Sequence, residues 1–384
     1  MTAPSAAVAR LQPFGGTIFA EITELARAYD AVNLGQGFPD WDGPARMLEV
    51  AREAIASGVN QYPPGRGTAD LRSAICEDRA ESFDLEYDPA SEALVTAGAT
   101  EAIAATMLGL VEPGSEVILI EPYYDSYAAA VAMAGARRVS VPLVRDAAGF
   151  VLDVDALRAA VTDRTAMIVV NTPHNPTGHV FGPEELAAIA ELAVERDLLV
   201  LSDEVYERLT FDAPHVPIAS LPGMASRTVT VSSAGKTFNV TGWKIGWALA
   251  SQPLLDGVLA AKQFLTFAGG SPFQPAVAHA LRHEQEWVAD LRASLRVKRD
   301  RLTSALAATG LAPFRSEGTY FVCADADGFD AAELCRDLPR ERGVAAIPVT
   351  AFVDDPEPWR STLRFAFCKR DEVLDEGVRR LAAQ

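Results

Sequence analysis

Two lysines follow a run of β-branched residues in the second half of the chain, and their position suits covalent chemistry. Residues 228–231 are typical of a buried strand, and Lys236 and Lys244 follow them within the stretch 232–247. Because a strand of an open α/β sheet ends at a crevice, we expect Lys236 to face that crevice. One lysine can condense with an aldehyde while the other, with a serine, neutralises a phosphate. Taken alone, a lysine beside a glycine is more typical of a solvated loop.

A carboxylate stands at the end of another predicted strand. Asp203 follows the apolar run 198–201, where an unpaired charge costs several kcal/mol. Its cationic partner can be a protonated pyridine nitrogen or an arginine, and Asp203 alone favours the structural salt bridge. Tyr206 and Asn175 can each donate a hydrogen bond to a phenolate oxygen of the same ring. The prolines beside Asn175 can include a cis peptide bond; otherwise this segment is simply a rigid turn.

Other residues fit the same kind of ligand. Tyr124 follows a third predicted strand, where it can stack on a ring or belong to the core. Ala99 and Thr100 begin a predicted helix whose free backbone N–H groups form an anion site, although many α/β turns share this pattern. Arg364, on a predicted buried strand, needs a carboxylate partner. That partner can be a substrate or an internal Asp or Glu.

The elements that carry these residues alternate between short apolar runs and helical stretches. This alternation predicts an α/β fold with a mostly parallel sheet, right-handed crossovers and helices on both faces. The predicted strands cover residues 93–96, 117–120, 138–143, 166–170, 198–201 and 228–231, and the predicted helices between them cover 101–110, 128–134, 156–161 and 184–195. Because parallel strands end at one edge, Tyr124, Asn175, Asp203 and Lys236 should meet there.

Composition argues against several classes of partner. The chain has 384 residues and a formal net charge of −18, with 52 acidic and 34 basic residues. Such a surface repels phosphate backbones, so we expect no nucleic-acid partner. No apolar run approaches the ~20 residues of a membrane span, and residues 1–10 do not resemble a leader, so we expect a cytoplasmic protein. The four cysteines and five histidines lack zinc-type spacing, so we expect no metal.

The pattern changes near Gln274, and this change predicts a second lobe. We expect an N-terminal arm at 1–43 that joins the small domain, a large ligand-binding domain at 44–274 and a small α+β C-terminal domain at 275–384. Within the small domain the pattern predicts a long helix over 276–306 and a short strand over 318–322.

The order and spacing of these residues resemble a known family. The motifs are Asn175-Pro176-Thr177-Gly178, Asp203-Glu204-Val205-Tyr206, Ser233-x-x-Lys236 with Lys244 eight residues later, and a late Arg364. Together they resemble the fold type I, class I/II aminotransferases, which use pyridoxal 5′-phosphate. Residues 33–39 resemble the kynurenine and glutamine transaminase-like branch, and the chain also resembles actinobacterial N-succinyldiaminopimelate aminotransferases. The resemblance covers nearly the whole chain. It implies a mostly parallel seven-stranded sheet in a large lobe, a smaller α+β lobe and a homodimer with shared active sites.

The resemblance also implies roles around the cofactor ring. Lys236 would be the catalytic lysine that bonds the cofactor aldehyde and moves protons. Asp203 would pair with the pyridine N–H, and Tyr206 and Asn175 would bind the ring O3′. Tyr124 would stack on the ring.

The resemblance also assigns residues that bind the cofactor phosphate and the substrate. The phosphate would be bound by Ala99, Thr100, Ser233, Lys244 and, from the other subunit, Tyr62. Gly37, Asn175 and Arg364 would bind the substrate α-carboxylate, and Phe19 lies on the N-terminal helix that contacts the substrate. Lys244 stands where the family usually has an arginine, so a point charge replaces a planar fork.

Substrate choice depends on a segment that the partner subunit would donate, residues 267–272. Ala268, Gly269 and Gly270 stand where kynurenine-type enzymes have bulkier residues, which implies room for a long side chain. This favours a succinylated diaminopimelate, with glutamate and 2-oxoglutarate as the other pair. Alternatively, the glycines provide a sharp turn.

Several rival functions use similar residues. A kynurenine-, glutamine- or methionine-type aminotransferase, or a cysteine-S-conjugate β-lyase, would need the same constellation. A transcription regulator that binds this cofactor would need an added helix-turn-helix domain, for which the short N-terminal arm leaves no room. A non-enzymatic scaffold would not need so many polar groups in one crevice, because each costs stability when buried.

Overall fold

The computed structural model describes residues 6–15, 18–145 and 149–382. Residues 1–5, which entered the argument against a leader sequence, lie outside these ranges. The helices are α1 Ile18–Ala28, α2 Ala45–Ala56, α3 Ala69–Phe83, α4 Gly98–Leu110, α5 Asp125–Met133, α6 Val154–Ala160, α7 Pro183–Glu195, α8 Ala234–Thr237, α9 Gln252–Lys262, α10 Gln274–His283, α11 Gln285–Ala308, α12 Ala331–Glu341 and α13 Asp371–Ala382. The strands are β1 Val32–Asn33, β2 Ala93–Thr96, β3 Glu116–Glu121, β4 Arg137–Arg145, β5 Phe150–Leu152, β6 Thr165–Asn171, β7 Leu199–Asp203, β8 Thr228–Ser233, β9 Gly246–Leu249, β10 Ala312–Pro313, β11 Phe321–Asp325, β12 Val344–Ala345, β13 Ile347–Pro348 and β14 Thr362–Ala366.

The large sheet has the strand order β2-β9-β8-β7-β6-β3-β4-β5. The pairs from β8 to β4 are parallel, whereas β9 runs antiparallel to both of its neighbours, β2 and β8. Seven of these strands form the predicted mostly parallel sheet. The short antiparallel β5 extends it by one strand at the β4 edge, and no period-2 run in the sequence had indicated it.

Helices cover both faces of this sheet, as the alternation of elements predicts. One face is packed by α4, α5 and α9, whose apolar residues join those of β3, β6 and β8. The other face is packed by α6 and α7, with Leu157, Leu186 and Ile189 buried against Ile118 and Ile168. The central strands are therefore enclosed on both sides, and their polar side chains are confined to the strand ends.

A second, antiparallel sheet has the order β10-β11-β14-β13. The N-terminal segment packs with it: Ile22 and Ala26 of α1, and Leu34 directly after β1, lie in the same buried cluster as residues of α11 to α13, and β1 pairs with β12. Residues of α1 and Leu34 are thus part of this lobe's core, and the assignment of residues 1–43 to the small domain stays a prediction.

The C-terminal half differs from the sequence expectation in two places. The long helix expected over 276–306 is two helices, α10 and α11, because Glu284 leaves helical dihedral angles. The buried side of α10 packs with α2 and α3 beside the large sheet, whereas α11 packs with the second sheet. This packing favours an interlobe boundary near Glu284, and the proposed boundary at 274/275 stays a prediction.

The strand expected over 318–322 begins later, at Phe321. Thr319 has a φ of 68°, a left-handed conformation that extended backbone does not adopt. The chain therefore turns at Thr319 before β11 starts. This turn brings the neighbouring Tyr320 to the edge where the strands of the large sheet end.

Candidate active site

A cavity of about 300 Å³ lies where β2, β6, β7 and β8 end. Its wall contains residues from several strand ends and from the second lobe. Twelve of the predicted site residues line it: Phe19, Gly37, Ala99, Thr100, Tyr124, Asn175, Asp203, Tyr206, Ser233, Lys236, Lys244 and Arg364. The residues that the topological argument expected to meet at one sheet edge therefore do lie around one cavity.

Lys236 lies in α8, a single helical turn directly after β8. Its Nζ donates a hydrogen bond of 3.0 Å to the phenol oxygen of Tyr320. Burial lowers the pKa of Lys236 to about 8, although the Asp203 carboxylate acts in the opposite direction. Near pH 8 about half of these amines are neutral, and the neutral amine is the form that attacks a carbonyl carbon.

Asp203 ends β7 and is 3% exposed. Its Oδ2 accepts a hydrogen bond of 2.6 Å from the phenol of Tyr127, and its Oδ1 accepts one of 3.2 Å from the backbone N–H of Val205. Burial raises the pKa of Asp203 to about 6, and the Tyr127 hydrogen bond only partly offsets this. Across the described ranges, no arginine, lysine or histidine forms an ion pair with Asp203, so the alternative of a structural salt bridge is not supported.

Two predicted ring ligands, Tyr206 and Asn175, are buried beside Lys236 and Arg364. The Nζ of Lys236 lies 5.7 Å from the centre of the Tyr206 ring. Burial raises the pKa of Tyr206 far above its ordinary value, so its phenol stays a neutral donor. The Oδ1 of Asn175 accepts a hydrogen bond of 3.0 Å from Arg364, which leaves the amide N–H groups for another acceptor. The peptide bonds before Pro173 and Pro176 are cis.

Tyr124 is the predicted stacking residue, and its ring is half-buried in the cavity wall. It meets the ring of Tyr127 edge-on, with 5.8 Å between the ring centres and an interplanar angle of 89°. An aromatic ring in the wall of a cavity can stack on a planar ligand.

The start of α4 forms a cradle for an anion. Gly98 has a φ of 75°, and a Cβ on Gly246 would lie 2.6 Å from the carbonyl carbon of Gly98. The backbones therefore approach too closely for a side chain at Gly246. The Nζ of Lys244 lies 3.2 Å from the place where a Cβ on Gly98 would stand. With Ser233 and the first N–H groups of α4, this lysine supplies the donors that a phosphate requires.

Arg364 lies in β14 and is 2% exposed. Its guanidinium donates to Oδ1 of Asn175 at 3.0 Å and to the carbonyl of Gly35 at 2.8 Å, and its Nε has no hydrogen-bond partner among the residues that the structure describes. Phe19 and Phe321 pack on it, with ring centres 5.5 and 4.1 Å from Cζ. Within the described part of the chain no Asp or Glu forms an ion pair with Arg364. The internal carboxylate that the sequence left open is thus not observed.

Tyr62 is the predicted site residue that does not line the cavity. Its side chain is 81% exposed and contacts Phe267 edge-on, with 5.7 Å between the ring centres. Phe264, Leu265 and Phe267 are also exposed at this surface. A role for Tyr62 in phosphate binding therefore requires a second subunit, as the resemblance had implied.

Three residues near the predicted ligands were missed by the sequence reasoning. Tyr127 donates to Asp203, Tyr320 accepts from Lys236, and Asn171 accepts from the backbone N–H of Asn175 at 2.8 Å. Tyr127 follows Tyr124 by three residues at the start of a helix, and this spacing was an available signal. Tyr320 had no such signal, because its position depends on the left-handed turn at Thr319.

A buried charged cluster lies behind β7 and involves potential metal ligands. In the described residues, Glu204, Glu207 and His215 have ligand atoms within 4.8 Å of one another. Arg79 forms ion pairs with both carboxylates, and His215 contacts Glu204 at 2.9 Å. Because a guanidinium already lies between the carboxylates, this cluster gives a metal ion no support. The expectation of no metal stays a prediction.

The donor set fits pyridoxal phosphate. Asp203 is a buried carboxylate without an ion-pair partner among the described residues, and a protonated pyridine nitrogen would supply one. Tyr206 and Asn175 offer hydrogen-bond donors, Lys236 offers an amine, and the cradle at α4 offers a phosphate site. All of these groups line or begin at the same cavity.

Comparisons with known proteins agree with this chemistry. Residues 29–381 match the family model for aminotransferase class I and II. The chain is 59% identical over 387 aligned positions to the "Probable N-succinyldiaminopimelate aminotransferase DapC" of Mycobacterium tuberculosis, with 98% of each protein covered. It is 38% identical to the methionine aminotransferase of Escherichia coli, with 97% of each covered.

Solved structures give the same result. The structure of N-succinyldiaminopimelate aminotransferase from Mycobacterium tuberculosis matches with a TM-score of 0.97 and 60% identity over 98% of this chain and 99% of that one. Among the described residues, none of the helices combines the length and the apolar composition of a membrane span. The chain therefore belongs to the class I and II aminotransferases, which transfer amino groups with pyridoxal phosphate.

Proposed function

We propose that this aminotransferase converts an N-succinylated diaminopimelate and uses glutamate and 2-oxoglutarate as the other pair. The observation that carries the proposal is the full-length identity of 59% to a protein named for that substrate. The site supports it because no Asp or Glu of the described residues forms an ion pair with Arg364, the predicted carboxylate-binding arginine, and because a further cavity adjoins the first. A place in lysine and diaminopimelate biosynthesis follows from this substrate.

Pyridoxal phosphate, when bound, supplies an aldehyde for the amino group and a protonated ring that accepts the electrons of the Cα–H bond. Asp203 would hold the ring nitrogen in its protonated form, because its own buried charge is stabilised only beside a cation. Tyr206 and Asn175 would donate to the ring oxygen. Lys244, Ser233 and the N–H groups of Ala99 and Thr100 would hold the phosphate.

Lys236 would be the group that transfers the proton. Its depressed pKa of about 8 leaves part of the amine neutral at physiological pH. A neutral Nζ at the base of the cavity can take the proton that leaves the substrate Cα. Arg364 would meanwhile bind the α-carboxylate through its planar fork and fix the orientation of the Cα–H bond.

A second cavity, of about 480 Å³, shares Phe19 with the first and offers room for a long substrate side chain. Its wall includes Asp125, Ser126, Arg138 and Asp354. The Nε of Arg138 donates to both oxygens of Asp354, at 2.9 and 3.0 Å. The succinyl amide N–H would meet the Asp125 carboxylate, and a distal carboxylate would meet Ser126 and the outer edge of Arg138.

A panel of amino donors tests the proposal. With 2-oxoglutarate as acceptor, kcat/KM should be highest for N-succinyl-LL-2,6-diaminopimelate, and Arg138→Met should raise KM for that donor without affecting methionine. Arg137→Met is the matched control, because Arg137 is the preceding residue of β4 and does not line the cavity. A preference for kynurenine, glutamine or methionine would contradict the proposal. Release of pyruvate and ammonia without an acceptor would instead identify a β-lyase.

We also propose a homodimer in which Tyr62 binds the cofactor phosphate of the partner subunit. Tyr62, Phe264, Leu265 and Phe267 form an exposed apolar surface that a second subunit would cover. The residues 267–272 beside it would then limit the partner's substrate cavity. In the isolated chain, a Cβ on Gly269 would contact nothing within 4 Å, which leaves space there.

Subunit mixing tests the shared site. Tyr62→Ala and Lys236→Ala homodimers should both be nearly inactive, but refolding them together should restore activity. In the mixed dimer, one site would combine the intact Lys236 of one subunit with the intact Tyr62 of the other. If Tyr62 serves its own subunit, the mixture has no intact site and stays inactive.

The cytoplasmic location expected from the sequence stays a prediction, which cell fractionation would test.

A further inference from the structure

The phenol of Tyr320 connects two parts of the site that the proposed mechanism treats separately. Its oxygen accepts a hydrogen bond of 3.0 Å from Nζ of Lys236 and donates one of 2.6 Å to the carbonyl of Gly37. The Tyr206 phenol lies 3.5 Å away. Tyr320 is 1% exposed and lies behind Lys236, outside the cavity wall.

The single proton of this phenol decides the direction of each hydrogen bond. A carbonyl oxygen cannot donate, so the Tyr320 proton must point to Gly37. Towards Lys236, the phenol can then only accept. Burial raises the pKa of Tyr320 well above its ordinary value, so the phenol does not lose this proton at physiological pH. A neutral lysine amine that donates one N–H to Tyr320 therefore keeps its lone pair pointed elsewhere.

Packing holds Tyr320 in this position without a ligand. The backbone N–H of Phe367 donates to the Tyr320 carbonyl at 2.9 Å, and the N–H of Thr319 donates to the Leu209 carbonyl at 2.8 Å. The ring packs edge-on against Tyr206, with 5.1 Å between the centres. These contacts belong to both lobes. The position of the phenol is therefore fixed by the fold.

The acceptor of the phenol proton is also fixed. A Cβ on Gly37 would lie 2.3 Å from Cζ of Phe321 and 3.1 Å from Cε2 of Tyr320, so only glycine lets the backbone approach these rings. Two residues earlier, the Gly35 carbonyl accepts from Arg364 at 2.8 Å. The loop through Gly35 and Gly37 thus contacts both the carboxylate-binding arginine and the phenol that holds Lys236.

We propose that Tyr320 is a positioning residue for Lys236: when the amine is free, the phenol holds one N–H so that the lone pair faces the substrate Cα. The inference rests on the proposed role of Lys236 in proton transfer. It adds a residue that contacts the transferring amine but not the substrate. Through Gly37, it also joins the position of the amine to the loop that contacts Arg364.

Tyr320→Phe tests the proposal, because it removes one oxygen and retains the ring. We expect kcat to fall about 10-fold, the effect of one lost hydrogen bond, with KM changed less than about 2-fold. The primary isotope effect with an α-deuterated amino donor should increase, because proton transfer becomes slower than the other steps. Tyr87→Phe is the matched control, since burial also raises the pKa of Tyr87, to about 12, and it lies outside the cavity.

A measurement on the apoprotein separates this inference from the proposed function. A neutral acceptor stabilises the ammonium form, so Tyr320→Phe should lower the pKa of Lys236 further. The pH dependence of Lys236 acylation by an amine-selective reagent, followed by mass spectrometry, reports this pKa without cofactor or turnover. The Lys236 pKa could be lower in Tyr320→Phe apoprotein than in wild-type apoprotein while the wild-type enzyme shows no transamination. That combination would overturn the proposed function and leave the Tyr320 contact in place.

Two results would overturn the inference itself. One is an unchanged isotope effect together with an unchanged Lys236 pKa in Tyr320→Phe. The second result comes from a replacement pair of variants, Tyr320→Gln and Tyr320→Leu, which are used if Tyr320→Phe does not fold. Gln retains an acceptor oxygen and Leu does not. A Gln variant whose proton transfer is no faster than that of the Leu variant would show that the acceptor has no role.

Discussion

The phenol of Tyr127 donates a hydrogen bond of 2.6 Å to Oδ2 of Asp203, shorter than the 3.2 Å bond that the carboxylate accepts from the backbone N–H of Val205. A phenol is a neutral donor, so it cannot balance the charge of a buried carboxylate. Burial accordingly raises the pKa of Asp203 to about 6. The site is therefore under electrostatic strain that a cation on the cofactor ring would relieve.

Asp203→Asn should stabilise the apoprotein above pH 6 and inactivate the enzyme. In the wild type, the carboxylate is harder to ionise in the fold than in the unfolded chain, so stability falls as pH rises from about 4 to 6. The loss is complete about one pH unit above 6 and amounts to about 3 kcal/mol. Urea unfolding at pH 8 should show this gain for the Asn variant, whereas kcat falls roughly 100-fold.

A comparison at low pH is the control for this prediction. Below pH 4 the wild-type carboxyl is protonated in both states, so the two proteins should unfold with the same free energy. A destabilised Asn variant at pH 8 would mean that another cation in the apoprotein already balances Asp203.

The rate at which the protein captures the cofactor covalently should follow the deprotonation of the Lys236 amine. Lys236→Ala and Lys236→Arg should both abolish transamination and the absorbance band of the covalently held cofactor. In the wild type, the rate of pyridoxal phosphate capture by apoprotein should rise about tenfold per pH unit below pH 8 and level off above it, because burial lowers the pKa to about 8.

Stopped-flow absorbance between pH 6 and 9.5 measures this rate. A profile that continues to rise towards pH 10.5 would show that the amine is not shielded from solvent. Retained transamination and retained absorbance in Lys236→Ala would remove Lys236 from this role altogether.

Much of the site could be predicted because it depends on topology. Asn175, Asp203 and Lys236 follow strands that are parallel neighbours, so alternating apolar runs suffice to bring them together. The resemblance added the expected role of Arg364 in carboxylate binding, and the strand that carries Arg364 belongs to the other lobe. No local pattern links that strand to the large sheet.

The parts that could not be predicted depend on single backbone conformations and on other chains. Tyr320 reaches Lys236 because Thr319 is left-handed, a conformation that threonine seldom adopts and that the sequence does not signal. The break at Glu284 between α10 and α11 likewise lacks a proline or glycine. Tyr62 lies at the surface of the single chain, so its predicted role cannot be completed by one subunit.

Arg364→Lys should weaken substrate binding specifically through the carboxylate. Arg364 presents a buried planar fork whose Nε lacks a partner, and a lysine ammonium cannot reproduce two parallel hydrogen bonds. Loss of one hydrogen bond to a charged group costs about 1.5 to 3 kcal/mol. We therefore expect kcat/KM for amino acids to fall about 10- to 100-fold.

Amine donors that lack the carboxylate distinguish a loss of carboxylate binding from a general disturbance of the site in Arg364→Lys. The first half-reaction with the decarboxylated analogue of an amino donor should have similar single-turnover rates in wild type and Arg364→Lys. An equal loss for the amine and the amino acid would show that Arg364 supports the cavity wall rather than the substrate.

His179 should make the stability of the protein pH-dependent through its contacts across the lobes. Its Nε2 contacts Oε2 of Glu185 at 3.0 Å, and its Nδ1 contacts Oε2 of Glu317 at 3.4 Å, on the segment that leads to Tyr320. Burial alone would lower the pKa of His179, but the two carboxylates outweigh it and raise the pKa to about 9. The folded protein therefore binds this proton more tightly than the unfolded chain does.

The sign of the effect follows from that difference. The contribution of His179 is fully present below pH 6.5, where both states are protonated, and it is lost as pH rises to about 9. His179→Gln should cost about 2 to 3 kcal/mol of unfolding free energy at pH 6, and the difference from wild type should shrink by pH 9.5. His283→Gln, at an exposed position of α10, should leave the unfolding free energy unchanged. A deficit in His179→Gln that is equal at both pH values would mean that packing, rather than the charge of the imidazolium, holds Glu317 and the neighbouring Tyr320 segment against the Asn175 loop.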